Sequence, residues 1–255
     1  VKAVLEYKAV TVAYGGRTAA EDVSFVLHEG EALCLAGASG SGKSSLLRAA
    51  AGLLPPGGAV TGGSLCLEGR PLEALGETEW QRLRGRAIGL VFQNAGASFC
   101  PVRTIGSQIR EALSVQGKVT EEEARRRTVP LLEALGLADG ERVWRSYPHE
   151  LSGGMQQRAA LAAALVLSPR VLLADEATSA LDGDAREGLL ALLADLRDRE
   201  GLALLFISHD PAAVQAPCGR VLIMDGGRIA EEGPAESIFR TPQSEAGRRL
   251  AEGLF

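Results

Sequence analysis

The sequence predicts an α/β fold built on a mostly parallel sheet, and three observations carry that expectation. Apolar, strand-like runs alternate with helix-forming runs along most of the chain. One strand-like run, "EALCLAG", passes straight into the glycine-rich turn "GASGSGKS" and then into a helix rich in Leu and Ala. A helical block at about residues 104–155 interrupts the alternation, which then resumes. The expectation is one domain over residues 1–255, opening with sheet and carrying an inserted helical subdomain.

Each element has its own signal. "VLEYKAVTVAY" alternates apolar and polar residues, the period of a half-buried strand. "DVSFVL" and "EALCLAG" are strands separated by the turn "HEG". "PPGGAVTGG" is a loop by composition, "SLCLEG" a short strand, and "AIGLVFQ" a β-branched apolar run suited to a buried strand. Within the helical block, "TIGSQIREAL" and "TEEEARRRTVPLLEALGL" are helices. The second starts well, with Thr120 followed by acids. Its arginines are expected to form a solvated face with i,i+4 charge pairs. "RVLLADE" and "LALLFIS" are strands flanking the helix "DAREGLLALLADLRDRE", and "CGRVLIMDGGRIAEEG" is a hairpin turning at "DGG".

Composition excludes several classes. The 255 residues are 46% hydrophobic and 23% charged, as in an ordinary globular protein. A net charge of −5 gives no electrostatic reason to bind nucleic acid or an anionic membrane. Four scattered cysteines (Cys34, Cys66, Cys100, Cys218) with no C-x-x-C pair, and only three histidines, suggest neither a zinc site nor a disulfide framework. A reducing compartment is the simpler reading. Lys2, Glu6 and Lys8 argue against a signal peptide. The runs "AALAAALVL" and "LALLFI" fall far short of the roughly 20 residues that span a bilayer.

The chemistry begins at Gly37–Ser44, which fits G-x-x-x-x-G-K-[ST] in a strand–loop–helix context. Backbone N–H groups over Gly37, Ala38, Ser39, Gly40, Ser41 and Gly42 would converge on phosphate oxygens, with the helix start at Lys43, Ser44 and Ser45 aimed at the same anion. Lys43 would reach the β- and γ-phosphates of ATP, and the Ser44 hydroxyl would ligate Mg²⁺. These features predict a P-loop NTPase core of RecA-like type. "RVLLADE" places Asp175 at a strand's C-terminal end to hold the magnesium, and Glu176 next to it as the candidate general base.

In these motifs the sequence resembles the ATP-binding subunits of ABC transporters, over nearly its whole length. "LSGGMQQR" matches that family's signature loop, giving Ser152, Gly153 and Gly154 as nucleotide contacts. "SALD" (Ser179 to Asp182) matches the D-loop and His209 in "FISHD" the switch histidine. Gln93 in "VFQN" matches the Q-loop glutamine, a further magnesium contact, and Tyr14 in "VAYGG" the aromatic that stacks on adenine. The resemblance implies the ABC ATPase fold, with an N-terminal antiparallel β subdomain. Two departures stand out: Ala177 replaces the usual proline after the acids, and Met155 replaces glutamine in the signature. Alanine cannot fix φ as proline does, but it removes no catalytic group.

The "SGGMQQR" form resembles the oligopeptide, dipeptide and nickel importer branch, as does the run of Ser98, Pro101, Thr104, Gln108 and Ile109 after Gln93. The short tail fits nickel or metal-chelate importers better. The resemblance implies a head-to-tail pair of ATPase subunits, a heterodimer in this branch, and a permease touched through about residues 94–108. It further implies a periplasmic or extracellular binding protein acting indirectly, and a place on the cytoplasmic face of the cell membrane. The competing readings are an exporter ATPase and a soluble non-transport ABC ATPase. The latter would need a long coiled-coil insertion or a second cassette. A kinase or GTPase would explain Gly37–Ser44 but neither Leu151–Gln157 nor His209.

Overall fold

Each central strand feeds two cores, because successive side chains point to opposite faces of a sheet. The computed structural model describes residues 2–84, 86–92, 95–115, 117–176, 183–208 and 219–253. Its elements begin with β1 (Ala3–Tyr14), β2 (Arg17–His28), β3 (Ala32–Ala36), α1 (Lys43–Ala51), β4 (Gly58–Leu67) and β5 (Arg70–Pro71). α2 (Glu77–Arg84) and β6 (Ile88–Val91) lead to the helices α3 (Ile105–Ser114), α4 (Glu121–Ala134), α5 (Gly140–Arg145) and α6 (Gly153–Leu165). Then come β7 (Val171–Asp175), α7 (Gly183–Glu200), β8 (Ala203–Ile207), β9 (Arg220–Asp225), β10 (Arg228–Pro234), α8 (Ala235–Arg240) and α9 (Glu245–Ala251).

Two sheets result. One is antiparallel, in the order β2-β1-β4-β5. The other runs β10-β9-β3-β8-β7-β6, parallel except for β10 on its edge. Every residue of β3, β7 and β8 is buried, the pattern of a parallel sheet covered on both faces. Leu33, Leu35, Leu173 and Leu205 pack with Tyr7 of the antiparallel sheet and Leu46 of α1. Their neighbours Cys34, Leu172, Leu204 and Phe206 share the second core with Ile109, Leu132 and Leu161 of the helices.

The helices between β6 and β7 start on capping side chains. Thr104, Thr120, Asp139 and Ser152 accept the N–H of Ser107, Glu123, Arg142 and Met155, each satisfying one otherwise unpaired donor. Buried Trp144 lies so close to α3 that a Cβ on Gly106 would overlap its indole ring.

The structure departs from the sequence reading in three places. The stretch "PPGGAVTGG" is not all loop, since β4 already starts at Gly58 and pairs with β1. Gly63, at φ +74, lies where a Cβ would overlap the carbonyl oxygens of Lys8 and Ala9, so this glycine marks a close strand approach rather than a turn. Residues 77–84 form α2, whose only apolar residues, Trp80 and Leu83, rest half-buried against the core, too short a stripe to mark a helix in the sequence. The α4 arginines are exposed as expected of a solvated face, but Arg125 and Arg127 reach other elements instead of acids on their own helix. Arg125 Nε donates to both carboxylate oxygens of Glu141 on α5, at 2.7 and 2.8 Å. Arg127 donates to the Val166 carbonyl, 2.9 Å away at the end of α6.

Gly106→Ala should therefore lower stability by about 1–3 kcal/mol, the usual cost of overpacking. A urea titration should show a lower midpoint with an unchanged slope.

Candidate nucleotide site

The chain turns as soon as β3 ends, and both sheets press on the turn. A Cβ on Gly37 would overlap the Met224 carbonyl oxygen of β9, and one on Gly42 the Ala19 carbonyl oxygen of β2. Both positions also have positive φ, +137 and +99, so only glycine meets both demands. Gly40, at φ +79, faces open space, where only its conformation calls for glycine.

Lys43 is buried and folds back across this loop. Its Nζ donates to the carbonyl oxygens of Gly37 and Ala38, both at 2.7 Å, and to Ser41 Oγ at 3.1 Å. Burial pushes the Lys43 ammonium below its usual range, while the charges of Glu176 and Asp175 push it back up. The start of α1 has no side-chain cap and no acid in its first turn, which leaves an electropositive end for an anion. Ser39 and Gly40 are exposed at the rim.

Asp175 ends β7 beside the Ser44 hydroxyl, which favours the charged carboxylate. Burial holds the Asp175 carboxyl above the usual carboxylate range, although Ser44, Arg48 and Lys43 all oppose the shift. Glu176 follows in the left-handed region at φ 51, a conformation that costs a non-glycine residue about 1–3 kcal/mol. Its N–H is anchored on the Ile207 carbonyl of β8 at 3.1 Å. Among the described residues no three His, Cys, Asp or Glu side chains cluster as a metal cage. A hydroxyl and one carboxylate beside a phosphate cradle form the sparse oxygen set that suits Mg²⁺, which keeps waters and phosphate oxygens as its other ligands.

Tyr14 closes the other side of the loop. Its hydroxyl donates to Ser45 Oγ at 3.1 Å, and its ring lies over Gly58, where a Cβ would collide with it. At α6 the helix start is open. Ser152 and Gly153 are exposed, and a Cβ on Gly153 would meet nothing within 4 Å. The first turn of α6 carries no acid. Arg158 fastens this turn from behind, donating to the Gly154 carbonyl at 3.2 Å and the Gly136 carbonyl at 2.9 Å.

The structure thus groups Tyr14, Gly37–Ser45, Asp175 and Glu176 around one loop, and sets Ser152, Gly153 and Gly154 on a separate open helix start. Gln93, Asn94, Ala177, Ser179–Asp182 and His209 lie outside the described residues. His28 pairs with Glu31 at 3.0 Å, and His149 stacks on Tyr147. Sequence reasoning missed the loop's two walls, since the Ala19 and Met224 carbonyls carry no side-chain signal. A groove of about 460 Å³ lies between β6, α3 and α6, lined by Leu90, Phe92, Phe99, Ile109, Ala112 and Ala163 among others.

A sequence model of the ABC transporter family matches residues 20–179. The chain belongs to the ABC transporter family. It is 41% identical to a probable peptide ABC transporter ATP-binding protein of Sinorhizobium fredii, over 97% of this chain and 72% of that protein. It is 39% identical to the oligopeptide transport ATP-binding protein OppD of Bacillus subtilis, over 95% and 69% of the two chains. The dimeric bacterial ABC transporter cassette MJ0796 superposes with a TM-score of 0.82 at 30% identity, covering 91% of this chain and 98% of that one. Its post-hydrolysis state, bound to ADP and Pi, gives 0.81. The chain is therefore an ATP-binding, ATP-hydrolysing member of the family, and its fold is the ABC ATPase fold expected from the sequence.

The raised Asp175 carboxyl sets a pH dependence. Between the unfolded value near ~3.9 and the higher folded value, the native state keeps a proton that the unfolded chain has lost, so stability falls as pH rises through that window. Asp175→Asn removes this cost. In nucleotide-free protein the variant should be more stable than the parent at neutral pH, with the gain vanishing below about pH 3.9. Denaturation midpoints across the range measure it.

Proposed function

We propose that this chain is the ATPase subunit of an ABC importer for peptides, working as one of two subunits that close head to tail on ATP. The observation that carries the hydrolytic site is the Asp175 carboxylate beside the Ser44 hydroxyl, with Lys43 and Glu176 at the mouth of the glycine loop. In this reading the loop amides and Lys43 hold the β- and γ-phosphates, and the Tyr14 ring stacks on adenine. Ser44, Asp175 and Gln93 would hold Mg²⁺, whose charge offsets that of the phosphate oxygens. Glu176 accepts a proton from a water as its oxygen attacks the γ-phosphorus. The bond to the bridging oxygen breaks and ADP departs as the leaving group, while His209 orients the γ-phosphate.

The exposed, acid-free start of α6 supports the second half of the proposal. Ser152, Gly153 and Gly154 of one subunit complete the site on the other, with amides and a hydroxyl aimed at the partner's γ-phosphate. The apolar groove beside α3 supports a permease contact through about residues 94–108. Membrane attachment runs through that contact, at the cytoplasmic face; no described helix is long and apolar enough to cross a bilayer. The partner ATPase is a different chain in the cell, this chain purified alone pairs with a second copy of itself in the same head-to-tail way, and a binding protein outside the membrane delivers cargo to the permease. Relatives that serve peptide and oligopeptide transport favour peptides over nickel or metal chelates as that cargo. The inserted helical subdomain spans about residues 104–155 within one domain.

Glu176→Gln should bind ATP but not hydrolyse it, and should accumulate as an ATP-bound dimer on size-exclusion chromatography; normal hydrolysis by this variant would refute the base assignment. Ser152→Arg should lose turnover while its own loop still binds ATP, and loss of binding would refute a site shared between subunits. Deleting the gene should stop uptake of a labelled oligopeptide in the source organism. Unchanged uptake would rule out the peptide assignment.

A further inference from the structure

Gln156 joins two parts of the molecule that the family motifs leave separate. Its side-chain Nε2 donates to the Pro148 carbonyl at 2.7 Å and to the Leu151 carbonyl at 3.2 Å. These two carbonyls bracket the short 3₁₀ turn Pro148–Glu150 that delivers the chain to Ser152. The backbone N–H of Gln156 donates to the Ser152 carbonyl at 2.9 Å, so the residue holds the open helix start through both main chain and side chain. The other end of the same amide rests on a second element. Its Oε1 occupies the space that a Cβ on Gly96 would need, within the 3₁₀ turn Ala95–Ser98 that follows β6.

We propose that Gln156 is the positioning residue that links the turn Ala95–Ser98 to the signature loop, so that the two move together. The proposal rests on the two-subunit reading above, in which Ser152 meets the partner's ATP and the turn lies in the permease-facing segment. A shift of the turn then reaches Ser152 through a single side chain. Gly96 is the socket for that side chain. An added methyl there displaces only the far end of a flexible glutamine, so it costs little in folding, but it pulls the amide off both carbonyls.

The geometry makes the two residues non-additive. Beyond the amide, the next neighbour of a Cβ at position 96 is the Gln156 Cβ at 3.8 Å, an ordinary contact. Gly96→Ala should therefore be harmful when Gln156 is present and harmless once Gln156 has been shortened to alanine.

The test uses full-length protein carrying Glu176→Gln, with ATP-dependent dimerisation followed by analytical ultracentrifugation. Adding Gln156→Ala should weaken the dimer about tenfold, because Ser152 must then be ordered on closure without the two hydrogen bonds that hold its turn in place beforehand. Gly96→Ala should weaken it similarly, and the double variant no more than Gln156→Ala alone. Affinity of the dilute monomer for a fluorescent ATP analogue should match the parent in all three, which a general loss of structure would not allow. Dimerisation at parental strength in Gln156→Ala, additive effects in the double variant, or monomer ATP affinity falling in step would each overturn the proposal. A Glu176→Gln parent that stays monomeric in ATP would instead refute the two-subunit reading, and the proposal with it.

Discussion

Two backbone carbonyls, from Ala19 and Met224, press on the loop between β3 and α1, and the nucleotide site depends on that contact. One belongs to the antiparallel sheet and the other to the parallel sheet. The loop is therefore a place where both sheets meet, and it takes its shape from them rather than from its own hydrogen bonds alone. The hairpin of β9 and β10 adds a strut, with Glu21 N–H donating to the Gly227 carbonyl at 2.8 Å. A cradle held from two sides in this way is pre-organised before any phosphate arrives, so little ordering remains to be done on binding.

The same arrangement concentrates cost. Lys43 is buried with three polar contacts, Asp175 is buried with its carboxyl pushed up, and Glu176 stands in a left-handed backbone. None of these features helps the fold. The two buried charges are what a phosphate and a hydrated cation would relieve, by giving the ammonium an anion and the carboxylate a positive neighbour. Strain and perturbed charge gathered at one strand end are typical of a working site.

Much of this was legible from the residues. Gly37–Ser44 between a strand and a helix, and the acids ending "RVLLADE", have side-chain chemistry and spacing that point to the site directly. The parallel sheet was legible because strands buried on both faces must be apolar throughout. α2 was not, because its contact with the core is only Trp80 and Leu83, and β4 was hidden by glycines that serve strand contact. The arginines of α4 form the solvated face expected of them, but the partners of Arg125 and Arg127 were missed because a local charge rule sees only its own helix, whereas Glu141 and the Val166 carbonyl come from others. Gln156 gave no signal either, since its two ends act on carbonyls and on an empty glycine face.

The central claim is that one catalytic site is assembled from two chains, the glycine loop of one and the α6 start of the other. Mixing two dead variants tests it most directly. A Lys43→Ala chain keeps an intact signature loop, and a Ser152→Arg chain keeps an intact glycine loop. Each alone should hydrolyse no ATP, and their mixture should regain turnover, because one of the two sites in the mixed dimer is then complete. A mixture as inactive as its parts would contradict the account.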